Sequence, residues 1–72
     1  MPEGAILAGA AGLVLSIRVR VGDSVAEGDE VAMMETMKMR RSVLSPYQGV
    51  VTEIRAQEGQ MLDADDLLLV VG

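Results

Sequence analysis

The chain has no cysteine and no histidine among its 72 residues, and those two absences remove much of the usual chemistry of protein sites. Without cysteine there are no disulfides, thiolate nucleophiles or thiolate metal ligands. Without histidine, the commonest general base and metal ligand is missing as well. Tryptophan and phenylalanine are absent and Tyr47 is the one aromatic residue, so the core must be assembled from Val, Leu, Ile, Met and Ala. Positive charge is scarce: eleven acidic residues against six basic ones give a formal net charge of −5. Nucleic acid is therefore not an expected partner, because phosphate binding needs a basic surface. No apolar run approaches the roughly 20 residues of a membrane span. Ala5 to Leu15, AILAGAAGLVL, is apolar and rich in small residues, but Met1-Pro2-Glu3 before it is negative where a secretory signal wants positive charge. The expectation is a cytoplasmic protein with no direct membrane insertion, no catalytic residue and no metal site.

What the chain does have is a duplication. From Leu7 the first half reads LAGAAGLVLSIRVRVGDSVAEGDEVAMME, and from Leu44 the second reads LSPYQGVVTEIRAQEGQMLDADDLLLVVG. At an offset of 37 residues the two align without a gap. Leu7 falls on Leu44, Gly12 on Gly49, Val14 on Val51, Ile17 on Ile54, Arg18 on Arg55, Gly22 on Gly59 and Asp29 on Asp66. Similar residues meet between these, with Val25 on Leu62, Val31 on Leu68 and Met33-Met34 on Val70-Val71. Each copy is too short to close a core by itself, whereas two copies bury their apolar faces against each other. The whole chain, residues 1–72, is read as one domain with half-repeats 6–35 and 43–72 and a central hairpin at 36–42.

Within a copy, Leu13, Leu15, Ile17, Val19 and Val21 alternate with Ser16, Arg18 and Arg20, the period of two of a half-buried strand. Gly22-Asp23 reads as a turn, Ser24 to Ala26 as a short strand, Glu27-Gly28-Asp29 as a second turn and Glu30 to Glu35 as the last strand. Its counterpart, Leu67 to Val71, is an unbroken apolar run. Four short strands per copy give eight, and no window shows a helical period free of Gly. The fold expected is all-β: a flattened eight-stranded barrel or sandwich of two four-stranded antiparallel sheets with pseudo-twofold symmetry, a barrel-sandwich hybrid.

Between the copies lies Glu35-Thr36-Met37-Lys38-Met39, which holds the chain's one lysine. A hairpin at this junction places Lys38 at or beside its tip. A lysine in a polar turn is ordinarily just solvated, but this one stands between two methionines, residues that usually prefer burial. A catalytic lysine needs a desolvated pocket to lower its pKa, which a hairpin tip does not offer. An amine held out for another enzyme to acylate needs reach and a recognisable surface, and both are present.

These residues carry a resemblance to the biotinyl domains of the biotinyl/lipoyl attachment family. They are Glu35, Met37-Lys38-Met39, the run Gly12-x-Val14-x-x-Ile17-x-Val19-x-x-Gly22-Asp23-x-Val25-x-x-Gly28 and its copy from Gly49 to Asp65, and the resemblance covers residues 5–72. It implies a modified lysine on the hairpin joining the two halves, with biotin covalently attached to Lys38 in amide linkage. Glu35, Thr36, Met37 and Met39 then complete the cofactor-binding segment. It further implies a carrier rather than an enzyme: attached by a biotin protein ligase, the biotin shuttles a carboxyl group between biotin carboxylase and carboxyltransferase, or decarboxylase, active sites. A lipoyl carrier is the alternative, since Glu-Thr before the lysine resembles lipoyl domains, whereas Met37 and Met39 favour biotin. An unmodified interaction module of the same fold is a third reading.

The chain departs from that pattern at Thr36, where the family commonly has Ala, at Ala10-Ala11-Gly12, where a Pro usually precedes the glycine, and at Arg40-Arg41. The arginine pair is read as a solvated strand start. Asp63-x-Asp65-Asp66 lacks the Gly and distal Glu of a calcium loop and is read as a turn. Gly9-x-x-Gly12 has no following helix and is no phosphate loop. Tyr47 is read as a packing residue on a turn.

Overall fold

The computed structural model of the chain describes residues 4–72; Met1-Pro2-Glu3, which entered the argument against a secretory signal, lie outside them. Alternating and continuous apolar runs form eight strands: β1 (Ala5–Leu7), β2 (Gly12–Ile17), β3 (Ser24–Val25), β4 (Glu30–Thr36), β5 (Met39–Leu44), β6 (Gly49–Ile54), β7 (Met61–Leu62) and β8 (Leu67–Val71). The 37-residue shift carries β2 onto β6 and β3 onto β7 residue for residue, carries β1 into β5, and carries the first five residues of β4 onto β8.

The strands form two four-stranded sheets, in the orders β1-β8-β6-β3 and β5-β4-β2-β7, with every neighbouring pair antiparallel. The same shift converts one order into the other. Each sheet draws two strands from each copy, so the copies interleave and neither can fold as a layer without its mate.

The inward faces meet in a core that is itself duplicated. Val14 and Val51, Val25 and Leu62, Val31 and Leu68, Ala32 and Leu69, and Met34 and Val71 are all buried. Ala32 and Met34 of one copy occupy the places of Leu69 and Val71 in the other, so a smaller residue at one level is answered by a larger one at the next. Each fully buried Val or Leu contributes about 1.5–3 kcal/mol, which lets a core without Trp or Phe hold a chain of this size. A register shift between Glu30 and Ala32 turns both Val31 and Ala32 inward, and the equivalent Leu68 and Leu69 are buried in the same way. This is why β8 reads as an unbroken apolar run.

Strand β2 is shorter than its alternation predicts. The Arg18 N–H still reaches the Val31 carbonyl at 2.9 Å. The Arg20 N–H, however, donates to Asp23 Oδ2 at 2.9 Å, and the Asp23 N–H donates back to the Arg20 carbonyl at 3.0 Å. β2 thus ends at Ile17, four residues before the pattern does, and the turn closes between Arg20 and Asp23. The same reciprocal closure recurs at Ala26/Asp29, Gln57/Gln60 and Asp63/Asp66. Asp63-x-Asp65-Asp66 is therefore a turn in which the Asp66 carboxylate accepts the Asp63 N–H at 2.8 Å. Among the described residues no cluster of acidic side chains can hold a metal ion, and no helix is long and apolar enough to cross a membrane.

Strand β5 leads away from the β4–β5 turn, and its six residues cover about 17 Å at the usual rise of a strand. The loop that follows brings Tyr47 and Gln48 against Gly4, Val71 and Gly72, which together line a shallow depression. There the Val71 N–H donates to the Gly4 carbonyl at 2.9 Å. The two ends of the described chain therefore lie side by side at the pole opposite the turn.

Candidate functional site

Thr36 pairs with Met39 across β4 and β5, so Met37 and Lys38 alone make the turn. Within the 36–42 hairpin expected from sequence, the turn itself is two residues long. Both residues have positive φ, 53° and 67°, the two-residue arrangement whose twist matches that of the flanking strands. Asn-Gly normally occupies such a turn. For residues with a Cβ the left-handed region costs roughly 1–2 kcal/mol each, so Met37 and Lys38 hold it only because the β4–β5 ladder beneath closes it. Met37 is 91% exposed, Met39 is 73% exposed and Lys38 is exposed with them. Two large apolar side chains thus stand in water on either side of an amine, with no part in the core.

The foundation of the turn is Gly12, buried as the first residue of β2. A Cβ there would collide with the Glu35 carbonyl oxygen and lie 2.7 Å from Thr36 Oγ1. Thr36 is half-buried against it, and its hydroxyl has no hydrogen-bond partner. The Glu35 side chain is exposed and lies opposite Arg40, also exposed. Of the sequence-predicted site residues, Met37, Lys38 and Met39 form the tip, Glu35 faces outward one step below, and Thr36 alone turns toward the body.

Arg40 and Arg41 part company. Arg40 is solvated as expected, but Arg41 is half-buried. It donates from Nη2 to the Ala8 carbonyl at 2.6 Å and to Met34 Sδ at 3.7 Å, while its Nε is buried without a partner. In the other copy the equivalent carbonyl, that of Ser45, accepts the Gly28 N–H at 2.7 Å. Arg41 supplies by side chain what backbone supplies there, and ties the loop after β1 to the hairpin. Sequence reading missed this because nothing in an Arg-Arg pair tells which member faces inward; strand parity, once Met34 is known to be buried, does.

Among the described residues the ion pairs are Arg18–Glu30 at 3.3 Å and Arg55–Glu53 at 2.6 Å. The Lys38 amine takes part in neither, and the depression lined by Tyr47 and the chain ends lies at the opposite pole. Lys38 is exposed at the tip of the turn, away from that depression.

The sequence model of a family described as biotin-requiring enzyme matches residues 3–71. The chain belongs to this family. It is 36% identical over 59 residues to a biotin/lipoyl attachment protein of Bacillus subtilis (strain 168), a match covering 82% of this chain and 81% of that protein. It is 39% identical over 70 residues to the mitochondrial methylcrotonoyl-CoA carboxylase subunit alpha of Oryza sativa subsp. japonica, covering 97% of this chain and 10% of that subunit. The structure is similar to part of the Kluyveromyces lactis urea carboxylase, with a TM-score of 0.88 and 31% identity, covering 100% of this chain and 6% of that one. The chain thus spans most of the attachment protein but a tenth or less of these two carboxylases. The turn fits the cofactor of a biotin-requiring family. An amide needs a primary amine open to solvent and without a packing role, and Lys38 meets both conditions.

Proposed function

We propose that the protein is a biotin carboxyl carrier whose Lys38 holds biotin in amide linkage. The observation that carries this is the sole lysine of the chain, presented between exposed Met37 and Met39 on a turn with two consecutive left-handed residues. Attachment replaces an Nζ–H bond by an Nζ–C bond and expels the leaving oxygen of an activated carboxyl group, a reaction that belongs to a biotin protein ligase. Bound there, biotin supplies a ureido ring able to accept and give up a carboxyl group. The four-carbon stem of Lys38 gives reach, the β4–β5 ladder fixes the direction in which it leaves the body, and Met37 and Met39 offer a soft apolar surround that adapts to different partners. The carrier itself makes and breaks none of the carboxyl bonds. Its partners are a biotin carboxylase and a carboxyltransferase or decarboxylase.

Intact mass after co-expression with a biotin ligase, and separately with a lipoate ligase, tests the proposal. One biotinyl group on the wild type and none on Lys38→Arg is the expected result. Labelling by the lipoate ligase alone, or by neither enzyme, would overturn it.

A further inference from the structure

The duplication supplies an internal control for the surface. Positions 37 residues apart share a backbone environment, so a difference between them on the outer face has no cause in the fold. The row of the outer face nearest the turn differs at each of its places. On the sheet that carries Lys38, Arg40, Glu35, Leu13 and Met61 are paired in register across β5, β4, β2 and β7. Directly paired residues share a face, and it is the outer one, because the intervening neighbours Met34, Val14 and Leu62 are buried. On the other sheet Glu35, Leu13 and Met61 are answered by Gly72, Val50 and Ser24, joined in the same way. A glycine, a valine and a serine suffice for the fold there. Beside the lysine the same places hold a carboxylate, a leucine and a methionine that is 69% exposed. Glu35 and Arg40 face each other without forming one of the ion pairs of the described residues, so both charges are open to a partner.

We infer that this row is the docking surface for the enzyme that acylates Lys38, an inference that rests on the carrier reading above. Distance favours that occupant. The unmodified side chain reaches only about 6 Å on its four-carbon stem, so the acylating enzyme must press against the hairpin itself, whereas later partners meet the end of a longer arm. A standard interface covers about 800 Å² per partner, a patch of roughly 16 Å radius. Two strand spacings separate Glu35 from Met61, about 10 Å, which places the row inside any such patch centred on the turn. Leu13 and Met61 give the apolar centre, with Glu35 and Arg40 as a charged border that fixes orientation.

The test is steady-state biotinylation by a biotin ligase of the wild type, Met61→Ser, which installs the residue of the other copy, and the reciprocal Ser24→Met. Met61 is exposed on a two-residue edge strand, and Met61→Gln, of similar length, is a second variant should the serine perturb folding. The inference expects KM for the Met61 variants to rise about tenfold, the equivalent of roughly 1.4 kcal/mol, with kcat unchanged and Ser24→Met like the wild type. An unchanged KM, or a loss confined to kcat, overturns the docking surface while leaving the carrier reading intact. Failure to label the wild type overturns both. A concentration-dependent dimer that Met61→Ser abolishes would assign the row to a second copy instead.

Discussion

Gly12→Ala tests how the body of the domain supports its turn, and the duplication provides the control. The added methyl would overlap the Glu35 carbonyl and crowd Thr36 Oγ1. A hydroxyl can rotate away, but a strand carbonyl cannot move without shifting β4. Overpacking of this kind costs about 1–3 kcal/mol, offset by up to about 1 kcal/mol because alanine loses less unfolded-state freedom than glycine. We expect a net loss of about 1–2 kcal/mol, a substantial part of the roughly 4–11 kcal/mol that a 72-residue domain holds in total. In a domain this small that lowers Tm by about 4–16 °C, measured by circular dichroism. Gly49→Ala meets the equivalent obstacle, the Gly72 carbonyl at 2.6 Å and Val71 Cγ1 at 3.0 Å, and should destabilise at least as much. The two must differ in function. Assayed at a temperature where both are folded, Gly12→Ala should slow biotinylation of Lys38 several-fold, because it displaces the two residues that lead into the turn, and Gly49→Ala should not. A Gly12→Ala protein that melts with the wild type would refute the packing argument; equal slowing by both would refute the link from Gly12 to Lys38.

Two further substitutions address the ground beneath the turn. Arg41→Ala removes a charged hydrogen bond to the Ala8 carbonyl and a half-buried stem, and urea denaturation should show a loss of about 1.5–3 kcal/mol; Arg40→Ala should stay within about 0.5 kcal/mol of the wild type, and equal effects would mean the two side chains are misassigned. Thr36→Val replaces a buried hydroxyl that has no partner with a methyl of the same shape, and should be neutral or stabilising by up to about 1 kcal/mol; a loss above that would show that the hydroxyl has a partner in solution.

The repeat made the architecture readable, because matching residues at one offset fix where strands and turns recur. Turn chemistry set the boundaries less well. Val19 and Val21 continue the alternation of β2, yet Asp23 captures the Arg20 N–H and ends the strand early, and a competition between a side chain and a ladder is invisible to periodicity. Nor does the pattern reveal that each sheet takes strands from both copies, since Leu13 to Ile17 would look the same beside any partner. That Met37 and Lys38 lie on the turn joining the halves followed from the repeat. The roles of Gly12 and Arg41 did not, because they depend on what lies across the sheet: a carbonyl of β4 in one case, the loop after β1 in the other.

The pairing of Gly4 with Val71 has a consequence for tethering. Any polypeptide joined to one end of this domain, or to both, leaves from the pole away from Lys38, so attachment to a larger body does not bury the amine. The folded unit then acts as a rigid spacer, adding the length of a β-strand to the reach of whatever linker holds it. Its lysine is carried outward as the leading point of the assembly rather than folded back toward the anchor.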